Sequence, residues 1–254
     1  MNNNAIVIYS IISSQVLDLK QSMEAFNLNI LLAALAPVVI IIFIFYRHDH
    51  PYNKEPYGLL IKCFIAGLAA TFLSIPIALP LHQINVDGQI KSAFFQAYFL
   101  AAIPEEIAKF LMLHLVISRN QAFDHYYDGI LYAVCLAMGF ASLENLFYVK
   151  DYGFQTSILR AIFSIPGHML FAVPMGFFYS FARFKTERNF QFLTLSLIIP
   201  IFFHGTYNFG LIISDYALKL DPKVKFTILT LMLAFIILMW RYGLKKITKA
   251  KQLN

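Results

Sequence analysis

Seven apolar blocks, each near the ~20 residues a helix needs to cross a hydrocarbon layer, fill most of the chain between Leu28 and Tyr242. They run about Leu28–Tyr46, Tyr57–Leu81, Ala93–Ile117, Gly129–Val149, Ser157–Phe184, Phe190–Ile213 and Val224–Tyr242. Blocks of this length are too long for the core helices of a water-soluble domain. Composition agrees: 59% of the 254 residues are hydrophobic and 13% charged, where a soluble domain carries ~25% charge. A soluble enzyme, a disordered chain and a nucleic-acid-binding domain are thereby excluded as readings. Cys63 and Cys135 both fall inside apolar blocks, so no disulfide framework is implied. Met1-Asn2-Asn3-Asn4 lacks a basic leader region, and no cleaved signal peptide is expected.

The expected fold is therefore an all-α, polytopic membrane bundle of seven transmembrane helices around an intramembrane polar cavity. Ala5–Leu19 is apolar but short and broken by serines, and reads either as an eighth span or as an interfacial helix. The short polar connections Arg47–Pro56 and Ser118–Asp128 leave no room for a second domain. Residues 1–254 form one membrane domain: a leading segment 1–27, a transmembrane core 28–242 and a basic tail 243–254. The net charge of +6 reports topology rather than affinity for nucleic acid. Arg241, Lys245, Lys246, Lys249 and Lys251 follow the last block, and Arg183, Lys185 and Arg188 follow the fifth. Seven spans place both groups on one side with Arg47, Lys54 and Arg119, which predicts a cytoplasmic C-terminus in the cell membrane. The opposite side holds Lys20, Lys91, Lys150, Lys219, Lys223 and Lys225.

All but three of the 14 acidic residues lie in connections or at span ends; Glu105, Glu106 and Glu144 do not. A charge near the bilayer centre costs at least ~2.5–3.5 kcal/mol, so such residues need a reason. Lys109 stands one helical turn beyond Glu105, on the same face, and can neutralise one carboxylate while the other remains free to move a proton. On its own that pair could be architectural, but it does not account for Glu106 or for the polar groups in the next spans. Glu144 and Tyr148 share a helix face, as do His204 and Asn208, and His168 follows Pro166-Gly167. None of these ionisable groups can face lipid, so they must share one interior cavity. The ~1.5 Å rise per residue sets Glu105 and His168 about 16–18 Å from the outer boundary, His204 about 14 Å and Glu144 about 8 Å. The pocket is thus expected to open outward. Carboxylates and imidazoles in a half-dry pocket suit water-activated hydrolysis, with or without metal.

The same residues resemble the PrsW family of intramembrane proteases. Pro104-Glu105-Glu106-Ile107-Ala108-Lys109-Phe110 is similar to that family's Glu-Glu-x-x-Lys motif. Asp128-Gly129 with Gly139-Phe140-Ala141-Ser142-Leu143-Glu144-Asn145-Leu146-Phe147-Tyr148 resembles its second block. Arg160 with Pro166-Gly167-His168 resembles the third, and His204-Gly205-Thr206-Tyr207-Asn208 the fourth. Asn53-Lys54-Glu55-Pro56 is similar to its opening segment, and the likeness covers roughly residues 40–215. The resemblance implies a relative of the CAAX-prenyl protease and bacteriocin-processing group that cuts a single-span, anti-sigma-factor-like membrane protein on its extracytoplasmic side. It implies Glu105, Glu106, His168 and His204 as catalytic residues, supported by Lys109, Glu144, Asn208 and Tyr148. Glu106, less directly opposed by Lys109, is the expected general base and Glu105 its paired carboxylate. His168 and His204, with Glu144, either bind Zn²⁺ or polarise the scissile carbonyl.

Two other classes use similar residues. A proton- or ion-coupled transporter also carries intramembrane Glu, Lys and His, but its polar breaks recur in two halves of the chain, and here they cluster in consecutive middle spans. A non-catalytic scaffold would use them only to specify packing. His48, His50, His82 and His125 are expected to be solvated, His114 to serve packing, and Tyr126, Tyr127 and Trp240 to form aromatic belts at span ends.

Overall fold

The computed structural model describes residues 28–49, 54–152, 154–217 and 222–253. The segments around Ala5–Leu19, His50 and Asn53 lie outside the described residues. All regular structure among those described is helical. In chain order the helices are α1 (Leu28–Arg47), α2 (Tyr57–Ala78), α3 (Gln89–Phe95), α4 (Ile103–Ile117), α5 (Tyr126–Tyr152), α6 (Phe154–Ile162), α7 (Ser164–Phe184), α8 (Asn189–Ala217) and α9 (Pro222–Gln252). A π-helical segment, Gln96–Ala102, joins α3 to α4 without a loop.

Among the described residues, five helical stretches are long and apolar enough to cross a membrane: Tyr57–Gln83, Tyr126–Tyr148, Ile158–Phe184, Asn189–Tyr216 and Pro222–Gln252. The run from Gln89 to Ile117 is of comparable length but carries Glu105, Glu106 and Lys109 in its middle. Helix α5 is the centre of the molecule. Every side chain from Tyr127 to Ser142 is buried, as expected for a helix that is apolar on all faces. It packs between α2 and α7. Gly129 and Gly176 allow that approach on the α7 side, because a methyl on either would overlap the opposing backbone or side chain. The outer helices are the inverse case. Phe226, Leu231 and Leu238 on α9 are 62–73% exposed, an apolar surface that water would punish and hydrocarbon accepts.

Three sequence expectations change in detail. The fifth block is divided near Phe163, where α6 ends and α7 begins. Pro166 lacks the N–H that would bond Ile162 one turn back, and the helix restarts through the Gly167 N–H to the Phe163 carbonyl at 3.0 Å. The basic tail 243–254 is helical as far as Gln252, as a continuation of α9, and Lys246, Lys249 and Lys251 lie against aromatic rings. Lys246 Nζ is 4.5 Å from the Phe177 ring centre and Lys251 Nζ 5.2 Å from that of Tyr127. Tyr127 is no interfacial aromatic: it is 1% exposed and donates to the Phe45 carbonyl at 2.9 Å, tying α5 to α1.

Candidate active site

The π-helical segment is what delivers the two glutamates. Pro104 has no backbone N–H, so an α-helical turn into it would leave a carbonyl unpaired. The wider π turn absorbs the mismatch, and the Ile103 N–H bonds the Tyr98 carbonyl five residues back. The segment then locks onto α8. The Tyr98 and Thr206 hydroxyls share a hydrogen bond of 2.7 Å. Gly205 leaves room for the Tyr98 ring, where a methyl would collide with it. About two turns later Glu105 and Glu106 face α8.

The polar side chains form one connected network. His204 Nδ1 lies 2.8 Å from Glu106 Oε1, and Lys109 Nζ donates to the same oxygen at 2.8 Å. Lys109 also donates to Glu105 Oε2 at 3.4 Å and lies 3.2 Å from His168 Nδ1. The far ring nitrogen of His168, Nε2, is 2.8 Å from Glu144 Oε2, and the Arg160 guanidinium reaches that oxygen at 2.8 Å. An ammonium has three donors and no acceptor; those of Lys109 go to Glu105, Glu106 and His168. His168 Nδ1 therefore accepts, which leaves its Nε2–H to donate to Glu144. Glu106 accepts from His204 Nδ1–H, which leaves His204 Nε2 with its lone pair. That nitrogen is 3.9 Å from Glu105 Oε2, too far for a hydrogen bond and the right span for one water held by both.

Aromatic rings wall the network. Phe171 stacks on His204 with centroids 4.8 Å apart, Phe140 lies under the Lys109 ammonium at 3.9 Å, and the two imidazoles are 5.5 Å apart. Beside them is a cavity of about 690 Å³, lined by Glu144, Tyr148, Arg160, His168, His204, Tyr207 and Asn208 among others. All the residues singled out from sequence thus lie in the network or on this cavity. Glu106 is almost fully buried (1%), while the Glu105 side chain keeps 16% exposure.

The structure redistributes some of the expected contacts. Lys109 was expected to engage Glu105, one turn away, and spare Glu106; instead its shorter contact is to Glu106. The side chains decide this, because i, i+3 and i, i+4 neighbours are both within reach. His82 is exposed, as expected, and stands at the edge of the cavity. Arg160 was quoted from sequence only within a motif, and it is the partner of Glu144. A cation inside the fifth apolar block was the available signal. His114 does serve packing, with Nδ1 2.8 Å from the Tyr179 hydroxyl.

Two groups of described residues bring three metal-ligating side chains within 4.8 Å of one another: Glu105, Glu106 and His168, and Asp124, His125 and Asp128. The set anticipated from sequence, His168, His204 and Glu144, is not one of them. His168 meets Glu144 directly, and His204 turns its Nδ1 to Glu106. In the first group the Lys109 ammonium stands 2.8–3.4 Å from all three residues. The donors converge on a cation, and that cation is the protein's own lysine. A metal ion does not fit there while Lys109 keeps its place. In the second group Asp128 Oδ2 is spent on the Asp124 and His125 backbone N–H groups at 3.1 and 2.6 Å.

The profile described as PrsW family intramembrane metalloprotease matches residues 55–240. The chain belongs to this family. Protease PrsW of Oceanobacillus iheyensis is 34% identical over 226 residues, covering 89% of this chain and 97% of that protein. Protease PrsW of Bacillus subtilis is 32% identical over the same shares. Protease PrsW of Clostridioides difficile is 31% identical, over 88% of this chain and 92% of that protein. No solved structure matches the chain. The matched span contains every member of the network described above, so the family likeness and the polar cavity concern the same part of the molecule.

Proposed function

We propose that the chain is an intramembrane peptidase that hydrolyses a single-span, anti-sigma-factor-like membrane protein by glutamate-activated water. It would act in the cell membrane as a bundle of seven spans, with its C-terminus cytoplasmic and the cavity open to the outside. The observation that carries this reading is the meeting at 2.8 Å of Glu106 and His204, two residues 98 positions apart in sequence. Glu105, rather than the Glu106 expected from sequence, is the general base in this scheme, because Lys109 stands closer to Glu106 (2.8 Å) than to Glu105 (3.4 Å). It is the less tightly held and more exposed of the two carboxylates, and the 3.9 Å between it and His204 Nε2 is the span of one bridging water. Glu106 fixes the tautomer and aim of His204. Lys109 keeps the two carboxylates together without letting their repulsion open the site. Arg160 and Glu144 hold His168, and Asn208 offers an amide to the carbonyl oxygen under attack. The scheme routes no step through a metal, because the lysine occupies the donors.

The sequence of events is a proton-balanced hydrolysis. Glu105 takes a proton from water as the oxygen adds to the scissile carbonyl, and returns it to the leaving amine when the carbon–nitrogen bond breaks. The test is a comparison of membrane proteomes from cells carrying the parent and Glu105→Gln. A single-span protein should accumulate uncut in the variant and appear as two fragments in the parent. Identical proteomes, with both forms present at equal abundance, would contradict the reading.

A further inference from the structure

Among the polar groups on the cavity wall that have no task in the scheme above, the Tyr207 hydroxyl stands out because it is buried and unpaired. Tyr207 lies on α8 between His204 and Asn208, is 4% exposed, and lines the same cavity as His168, Glu144 and His204. Its ring is held by Phe171, edge-on with centroids 5.9 Å apart. Its hydroxyl has no hydrogen-bond partner among the described residues. Other tyrosine hydroxyls in the bundle are paired: Tyr98 with Thr206, Tyr127 with the Phe45 carbonyl, Tyr132 with Glu55 and Tyr179 with His114. A second unpaired hydroxyl, that of Ser196, does not line the cavity. Leaving a buried donor unpaired costs ~1–3 kcal/mol, and phenylalanine would fill the same ring site without it. The hydroxyl is therefore best explained by something that enters the cavity and accepts from it.

We infer that Tyr207 is a further catalytic residue, whose hydroxyl donates a hydrogen bond to the scissile carbonyl oxygen as that oxygen becomes an oxyanion. This rests on the peptidase reading above. When water adds to the carbonyl carbon, the π pair moves onto oxygen, and Tyr207 and Asn208 together meet that charge. When the pair returns, the carbon–nitrogen bond breaks and the amine takes the proton held by Glu105. Tyr207 keeps its own proton throughout. Its position one helical step from Asn208 and one turn from His204 puts all three on the cavity side of α8.

The test uses the full-length protein in vesicles, with the single-span protein that accumulates in Glu105→Gln cells as substrate. Tyr207→Phe should lower kcat ~100-fold, the usual cost of one oxyanion donor, with KM little changed. Its melting temperature should equal or exceed the parent's, since an unpaired group has been removed. A merely structural hydroxyl would do the opposite, lowering the melting temperature and leaving kcat per folded molecule intact, and that result overturns the inference. So does a rise in KM at constant kcat, which would mean ground-state binding. A parent that cuts while Tyr207→Phe keeps pace defeats this inference alone. A parent that cuts nothing defeats the peptidase reading and this inference with it.

Discussion

Among the described residues, two groups of acids sit inside the bundle, and they are built in different ways. In the cavity network Glu105, Glu106 and Glu144 meet Lys109, Arg160 and two imidazoles, and they stand beside open space. At the α1–α2 end Asp49, Glu55 and Asp128 lie deeper (1–4% exposed, against 16–19% for the Glu105 and Glu144 side chains) and are engaged by backbone, a phenol and the His125 imidazole, 3.8 Å from Asp128. Asp49 Oδ2 accepts the Glu55 N–H at 3.0 Å, Asp128 caps the start of α5, and Tyr132 donates to Glu55. Burial, with the charges of Asp128 and Asp49 adding to it, pushes the Glu55 carboxyl up to about 9. Burying an acid is thus no sign of chemistry by itself. What separates the groups is lysine and arginine charge and room: Lys109 and Arg160 stand among the first, beside the cavity, while the second is a set of joints between helix ends.

Perturbing each group should separate them further. The largest effect is expected from Lys109→Met, which strips the shared cation from two carboxylates and His168. Breaking one partner out of a buried ion pair costs ~3–5 kcal/mol, so thermal melting in micelles should fall steeply and cleavage should drop to background. A variant that melts like the parent would mean that the carboxylates do not depend on Lys109. Asp128→Ala should cost about 1 kcal/mol through loss of a helix cap, with cleavage per folded molecule unchanged. A loss of turnover at full stability would move this joint into the machinery. The smallest effect is a matter of slope. Because Glu55 binds its proton more tightly folded than unfolded, its contribution is fully present below pH 4.5 and is lost as pH rises through about 9. Melting of the parent should therefore decline across that window, and Glu55→Gln should flatten the decline. Parallel curves for the two proteins would show that Glu55 is ordinarily ionised.

Much of this was legible before any coordinates, for a physical reason. A charge in an apolar block has to be explained, so Glu105, Glu106, Lys109, Glu144, His168 and His204 declare themselves. Helical spacing then correctly put Glu144 with Tyr148, and His204 with Asn208, on the cavity wall. What spacing could not carry was pairing. Whether Lys109 reaches forward to Glu106 or Glu105 depends on side-chain rotamers and on the π turn before Pro104, neither of which has a period to read. The same holds for Tyr127 and the basic end of α9, which look interfacial along the chain and prove to be packed across it. Tyr207 is the sharpest case. A tyrosine in an apolar helix is ordinary, and only the lack of a partner among the described residues marks it.

The most direct measurement is cleavage by the purified protein. Parent, Glu105→Gln and Glu106→Gln should be reconstituted at equal folded amounts with the accumulated single-span protein. The account predicts cutting by the parent and losses of ~10²–10⁴-fold in both variants, the greater in Glu105→Gln. Parental rates in either variant would contradict it, because the two carboxylates would then lie beside the reaction rather than in it.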